Sequence, residues 1–206
     1  MRLRASIAIV TVACAISAAG VHAQEPPADA APGESRNPAE AGSSAAGQSR
    51  LDRLFDRLAG AETAGEARRL EASIEAIWSR SGSATADLLV DRASQAVQQK
   101  DADAALTLLN MVVELAPDFA DGYNKRATVF FLSGDYARAM LDIRRALSRE
   151  PRHYGAWAGL GRILEETGDE RAALDAYRRA LALDPHIEGL KANIDRIAGK
   201  LRGRDA

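Results

Sequence analysis

Apolar and polar positions recur with the period of an α-helix along most of this chain, from residue 51 to residue 202. Most breaks in the pattern carry glycine, proline or serine. The last segment is a clear case, because Ile194, Ile197 and Leu201 fall on one helical face, opposite Lys191 and Asp195. The pattern therefore predicts an all-α fold.

The helical pattern repeats at an offset of 34 residues. Pro117, Pro151 and Pro185 follow each other at this spacing, and the same offset relates Tyr123 to Trp157. A constant offset arises when each helix pair buries its apolar face against the next pair, so that the same contacts recur once per unit. The spacing predicts three helix pairs and a capping helix, at about 86–119, 120–153, 154–187 and 188–202.

The turns inside these units have residues suited to their place. Gly134 and Gly168 stand where a first helix would end in the left-handed conformation. Asp135 and Asp169 follow them and are predicted to cap the second helix. In the first unit Lys100 replaces the glycine, and a side chain in this conformation costs about 1 kcal/mol. We expect that turn to be the loosest of the three.

The third unit carries the fullest version of the motif, in Trp157, Leu160, Gly161, Leu164, Ala173, Tyr177, Ala180 and Pro185. This set resembles the tetratricopeptide repeat (TPR), whose helix-turn-helix units stack into a solenoid. Residues 124–136 and 150–165 are similar to stretches in uncharacterised secreted or periplasmic TPR proteins of alphaproteobacteria. The resemblance implies a solenoid that binds a protein or peptide.

The chain before the repeats consists of three stretches that differ in composition. Residues 1–23 have a basic start, an apolar stretch and a small-residue ending at Ala23, which is typical of a cleaved signal peptide. An uncleaved membrane anchor and a lipid-modified Cys14 are the alternatives. Residues 24–49 hold four of the seven prolines and no Leu, Ile, Val or aromatic residue, which predicts a disordered linker. Residues 50–82 have helical spacing and predict a degenerate N-terminal helix pair.

Composition and motifs argue against several classes of function. Lys and Arg total 27 against 29 Asp and Glu, so no strong positive field favours nucleic acid. Cys14 is the only cysteine, and it would be lost with the signal peptide. His153 and His186 lie near repeat boundaries without the spacing of metal ligands, and the GxSxG motif is absent. We therefore predict no enzyme, no metal and no cofactor, and a capping or turn-lining role for both histidines.

Partner binding in this architecture most often uses the concave surface, which the first helix of each unit lines. Helical geometry turns Asn124, Thr128 and Phe131 toward that surface, with Arg162 and Glu165 beside them. An amide and a guanidinium can both bind an extended peptide or its carboxylate, so Asn124 and Arg162 are the leading candidates. The alternative is an ordinary solvated face.

Arg92 and Arg126 stand where the motif has leucine. In one interpretation their methylene stems pack while each guanidinium reaches solvent or a neighbouring acid. In the other they form a basic ladder that recruits an acidic partner segment.

Two hypotheses of function follow. The first is a non-enzymatic interaction module of the bacterial cell envelope, periplasmic or secreted, that binds a protein or peptide on the concave surface. The second is a permanent structural subunit of an envelope or secretion assembly. Neither involves nucleic acid or membrane insertion of the mature chain.

Overall fold

The computed structural model describes residues 38–204, and within this range the chain forms helices and no strand. The helices of this range are α1 (Pro38–Ala59), α2 (Ala64–Trp78), α3 (Ala84–Gln98), α4 (Ala102–Leu115), α5 (Ala120–Leu132), α6 (Tyr136–Arg149), α7 (Tyr154–Glu166), α8 (Glu170–Leu183) and α9 (Leu190–Arg204). The predicted all-α fold is confirmed.

Helices α3 to α8 form three pairs, α3/α4, α5/α6 and α7/α8. Each pair stacks on the next through α4 against α5 and α6 against α7, and α9 covers α8. We call α3 to α9 the array. The pairs lie in the three predicted units, and Leu190 and Ile197 of α9 are buried against Tyr177 and Ala180 of the last unit.

The turns within the pairs have the predicted geometry. Gly134 and Gly168 have φ angles of 76° and 86°, and Lys100 has a φ of 59°. Asp135 then caps α6 by accepting a hydrogen bond from the backbone N–H of Arg138 at 2.9 Å. The equivalent aspartates cap α4 and α8, which satisfies backbone donors that a helix start leaves unpaired.

Small residues let the two helices of a pair approach closely. A Cβ atom on Gly161 would lie 2.5 Å from two ring carbons of Tyr177, so α7 can lie this near the ring only with glycine there. Ala93 and Ala127 occupy the matching positions of α3 and α5, and both are buried. Trp157 is partly buried, and its Nε1 donates to the carbonyl of Pro151 at 2.8 Å.

The chain before the array differs from the prediction in extent. Helix α1 begins at Pro38, so residues 38–49 are helical and not part of a disordered linker. Proline suits the first position of a helix, and the buried residues Leu51 and Leu58 further along α1 hold the helix in place. The predicted signal peptide, residues 1–23, and the rest of the linker, 24–37, lie outside the described residues.

Helices α1 and α2 form a pair, which we call the hairpin, but it does not stack on α3 as a preceding repeat would. The face of α5 that meets the previous unit carries Gly122 and Val129, which pack against α4. The matching residues of α3 are Leu88 and Gln95, with Arg92 between them, and all three are exposed. This face is mainly polar and suits a solvent-facing end of the array. The hairpin instead lies across α5 and α7.

Candidate concave binding surface

The first helices of the units line a continuous surface that is partly open. A cavity of about 330 Å³ lies between α3 and α5, and its walls are Ala93, Ser94, Val97, Gln98, Leu109, Asn124, Lys125, Thr128 and Val129. A second, more apolar cavity of about 390 Å³ shares Val97 and Val129 with it. Leu132 borders the second cavity and is 65% exposed. We call these two cavities together the open groove.

The predicted site residues lie on this surface in two groups. Asn124 and Thr128 line the open groove, and the Thr128 hydroxyl donates to the Asn124 carbonyl at 3.0 Å. The Arg162 guanidinium lies 4.9 Å from the centre of the Phe131 ring. Arginine over an aromatic ring is a favourable, pre-ordered arrangement that leaves the N–H groups at its edge free to bind.

Glu165 has a structural role. Its carboxylate accepts hydrogen bonds from the Tyr177 hydroxyl at 3.1 Å and from Arg196 of α9 at 2.5 Å. Burial raises the pKa of Tyr177, and the charge of Glu165 adds to the increase, so the hydroxyl stays protonated. These contacts tie α7 and α8 to the capping helix and engage the carboxylate that was predicted to face a partner.

The basic ladder is wrong for Arg126. Its guanidinium forms a bidentate ion pair with Asp142, at 2.6 and 2.8 Å, and donates to Asn110 at 2.9 Å. The side chain is 11% exposed and that of Asp142 is 2% exposed, so the group is buried and already paired. Arg92 is exposed at the polar end of the array. The first interpretation, a packed stem with the guanidinium on a neighbouring acid, holds for Arg126.

The hairpin covers the N-terminal ends of α5 and α7 on the concave side. Glu75 and Trp78, near the end of α2, close a cavity of about 430 Å³ whose far walls include Asp121, Asn124 and Gly155. A cavity of about 580 Å³ lies at the other end of α2, where Ala64, Arg68 and Glu71 face Ala158 and Ile187. Helix α2 therefore runs across the N-terminal ends of α5 and α7, beside the open groove. No sequence pattern predicted this placement.

Aromatic and charged contacts hold the hairpin on the array. The Trp78 ring stacks on His153, with centroids 4.4 Å apart, and Phe55 meets Tyr154 edge to face at 6.5 Å. Arg152 pairs with Asp52 at 2.5 Å, and its guanidinium lies 5.0 Å from the Phe55 centroid.

His153 has the predicted capping role and also contacts the hairpin. Its Nδ1 accepts from the Ala156 N–H at 3.2 Å at the start of α7. Its Nε2 lies 3.5 Å from Asp121, too far for a well-formed hydrogen bond. Burial acts to raise the pKa of Asp121, but its contacts with His153 and Lys125 outweigh burial and leave the pKa below its usual value.

The interface under the hairpin contains two unfavourable features. The Trp78 Nε1–H is buried without a hydrogen-bond partner, which costs about 1–3 kcal/mol for such a group. Burial and the charge of Asp184 raise the pKa of Glu71, and burial also raises the pKa of Asp184 on the array. Both carboxylates line the cavity between α2 and the array.

Within 38–204, no group of three or more His, Cys, Asp and Glu side chains is arranged to hold a metal ion. In the same range, no helix has the length and apolar character needed to cross a bilayer.

Known proteins resemble this chain in sequence and in fold. The tetratricopeptide-repeat family matches residues 90–149 and 133–186. A TPR repeat-containing protein of Rhizobium etli is 37% identical over 154 residues, covering 75% of this chain and 76% of that protein.

Two solved structures illustrate the fold. The Sgt2 TPR domain from Aspergillus fumigatus superposes with a TM-score of 0.57 at 21% identity, over 60% of this chain and 83% of that one. The first TPR domain of Spaghetti (RPAP3), bound to the HSP90 peptide SRMEEVD, gives a TM-score of 0.56 at 19% identity, over 57% of this chain and 94% of that one. With the repeat geometry described above, these similarities show that the chain belongs to the tetratricopeptide-repeat family.

Proposed function

We propose that this protein is a non-enzymatic interaction module that binds an extended segment of a partner protein in the open groove. The observation that carries the proposal is the groove itself, which stays open beside the hairpin and joins polar and apolar cavities. The TPR fold is one of protein–protein interaction, and the Spaghetti neighbour binds a peptide.

The groove has the chemistry for an extended peptide. Ser94, Asn124 and Thr128 offer hydroxyl and amide groups that can pair with peptide main-chain groups. Val97 and Leu132 offer apolar contact for a side chain of the peptide. The Arg162 guanidinium, ordered on Phe131, suits a carboxylate further along the segment.

The setting that we propose is the bacterial cell envelope. It rests on the signal peptide predicted for residues 1–23, and it makes Gln24 the first residue of the mature chain. N-terminal sequencing of the chain from an osmotic-shock fraction tests this. A chain that begins at Met1 and stays in the membrane fraction would favour the uncleaved anchor.

A permanent structural subunit is the second candidate. It is favoured by Met111 and Leu115, which lie one turn apart on the outer side of α4 and are 45% and 52% exposed. Such a pair is the kind of apolar feature that a lasting interface covers.

In-cell crosslinking tests the proposal. The double substitution Asn124→Ala, Arg162→Ala should abolish the crosslink to the partner that the wild type captures. The matched control is Asp175→Ala, Arg178→Ala, which changes two exposed residues of α8 and should leave the crosslink intact. The same partner in both double variants would contradict groove binding and favour the structural subunit.

A further inference from the structure

The hairpin occupies surface that belongs to the same concave side as the open groove. Asn124 lines both the open groove and the cavity closed by Trp78. Gly155 and Ala158, which continue this side onto α7, lie opposite α2. While the hairpin is in place, a partner can reach α3 and α5 but not the first turn of α7.

The core of the hairpin includes array residues. Leu51, Leu58, Leu70 and Ile74 of the hairpin are buried with Tyr154 of the array, and Leu183 and Ile187 of the array pack against them. The other clusters of buried residues in the described part of the chain contain no hairpin residue. Departure of the hairpin would therefore uncover Tyr154, Leu183 and Ile187 and leave the buried residues of the other clusters in place.

The contact that would break is imperfect. Trp78 brings a buried, unpartnered N–H to it, and the carboxylates of Glu71 and Asp184 line the same cavity. Its ion pair is solvent-accessible, with the side chains of Asp52 and Arg152 61% and 29% exposed. Exposed pairs of this kind contribute little, so the closed state has no strong electrostatic lock.

The array side of this contact has a definite specificity. Arg152, His153 and Tyr154 are consecutive residues at the start of α7, and each binds a different feature of the hairpin. His153 stacks on an aromatic ring. Arg152 pairs with a carboxylate. The Tyr154 hydroxyl lies 3.5 Å from the carboxylate of Glu75. Asp52 lies on α1, whereas Trp78 and Glu75 lie on α2, so together the three residues recognise a helix pair that carries an aromatic residue and carboxylates.

We infer that Arg152, His153 and Tyr154 form a second docking site, for a helix pair that carries an aromatic residue and carboxylates. The hairpin fills this site until a partner helix pair of the same chemistry displaces it, which also uncovers the α7 end of the concave surface. The inference rests on the proposed function, because it describes the regulation of that surface.

The hairpin sequence supplies the probe. A fluorescein-labelled peptide of residues 50–80 is titrated by anisotropy against the full-length wild type, the Asp52→Arg chain and the Asp56→Arg chain. Asp52→Arg places a second guanidinium beside that of Arg152, which favours the open hairpin. The labelled peptide retains Asp52 and can still pair with Arg152. Asp56 is exposed on the same helix and serves as the matched charge control.

We expect the peptide to bind the Asp52→Arg chain more tightly than the wild type, by up to about five-fold, which is the upper limit for loss of an exposed ion pair. The Asp56→Arg chain should bind the peptide with the affinity of the wild type. A peptide that itself carries Asp52→Arg should bind the Asp52→Arg chain no more tightly than it binds the wild type. Equal affinities for the three chains would overturn the inference. Trp78→Ala provides a second opened chain, and amide exchange within α5 to α8 verifies that each variant keeps its array.

This experiment and the crosslinking test can fail separately. If the peptide binds no more tightly to the Asp52→Arg chain, and partner capture still depends on Asn124 and Arg162, only the second docking site is contradicted. If the peptide binds more tightly, and those substitutions leave partner capture unaffected, only the open groove as the partner site is contradicted.

Discussion

Lys100 holds a side chain in the left-handed backbone conformation that glycine occupies in the other two units, with a φ of 59°. Glycine lacks the Cβ atom that crowds the following carbonyl in this conformation. Lys100→Gly should therefore raise the free energy of unfolding by about 1 kcal/mol. Gly134→Lys, the reverse change at a φ of 76°, should lower it by a similar amount. Urea denaturation measures both, and a loss of stability in Lys100→Gly would contradict the strain argument.

Gly161 and Gly159 lie two residues apart in α7 and should respond oppositely to alanine. A Cβ on Gly161 meets the Tyr177 ring at 2.5 Å, whereas one on Gly159 meets only the flexible end of Ile143 at 3.3 Å. Gly161→Ala should lower the free energy of unfolding by about 1–3 kcal/mol through overpacking. Gly159→Ala should be neutral or stabilising, because alanine favours the helix. Equal changes of stability in thermal denaturation would contradict the argument that the Tyr177 ring leaves no room for a Cβ atom on Gly161.

Arg126 and Asp142 form a buried pair whose two halves depend on each other. Arg126→Leu leaves the carboxylate with Arg145 at 3.1 Å as its remaining ion-pair partner. The substitution should cost about 3 kcal/mol of unfolding free energy, the low end for breaking a buried pair. The double variant Arg126→Leu, Asp142→Leu should recover most of this loss, since apolar side chains can replace such a pair. A stabilised single variant in urea denaturation would contradict this account.

At the scale of elements, α9 shields the apolar face of the last unit from solvent. Ile197 is 1% exposed and packs in the cluster of Tyr177 and Ala180, so α9 covers a face that the next repeat would otherwise bury. Ile197→Ala should cost about 2–4 kcal/mol by leaving a cavity. Asp195→Ala, an exposed change in the same helix, should have little effect. Amide exchange should rise first in α8 and α9 of the Ile197 variant, and an increase spread evenly over the array would contradict the capping role.

At the scale of the whole molecule, the hairpin and the array should unfold separately. The chain has two tryptophans, Trp78 in the hairpin and Trp157 in the array, so each reports on one part. In the Trp157→Phe chain the remaining fluorescence follows the hairpin, and in the Trp78→Phe chain it follows the array. We expect the hairpin signal to change at a lower urea concentration, because a single cluster of buried residues joins the hairpin to the array. Coincident transitions, with matching far-UV circular dichroism, would indicate one cooperative unit.

The candidate site was predicted in part. The inward direction of Asn124, Thr128 and Phe131 follows from the helical register, and the open groove and the Phe131–Arg162 contact agree with it. The role of Glu165 was missed, since Arg196 of another helix engages its carboxylate. The pairing of Arg126 with an acid agrees with one of its two interpretations, although the register did not identify Asp142 as that acid. Register shows which way a side chain points, but it does not show which other side chain meets it there.

The sequence by itself determined the repeat, because its signals are local. A 34-residue period, glycines and aspartates at the turns and small residues at the crossings each act within one helix pair and its neighbour. Only the tertiary structure decided where the hairpin lies. Its contacts join residues far apart in the chain, such as Arg152 and Asp52 at a separation of 100 positions. The shape and charge of the folded surfaces determine which distant residues come into contact, and a local sequence period does not contain this information.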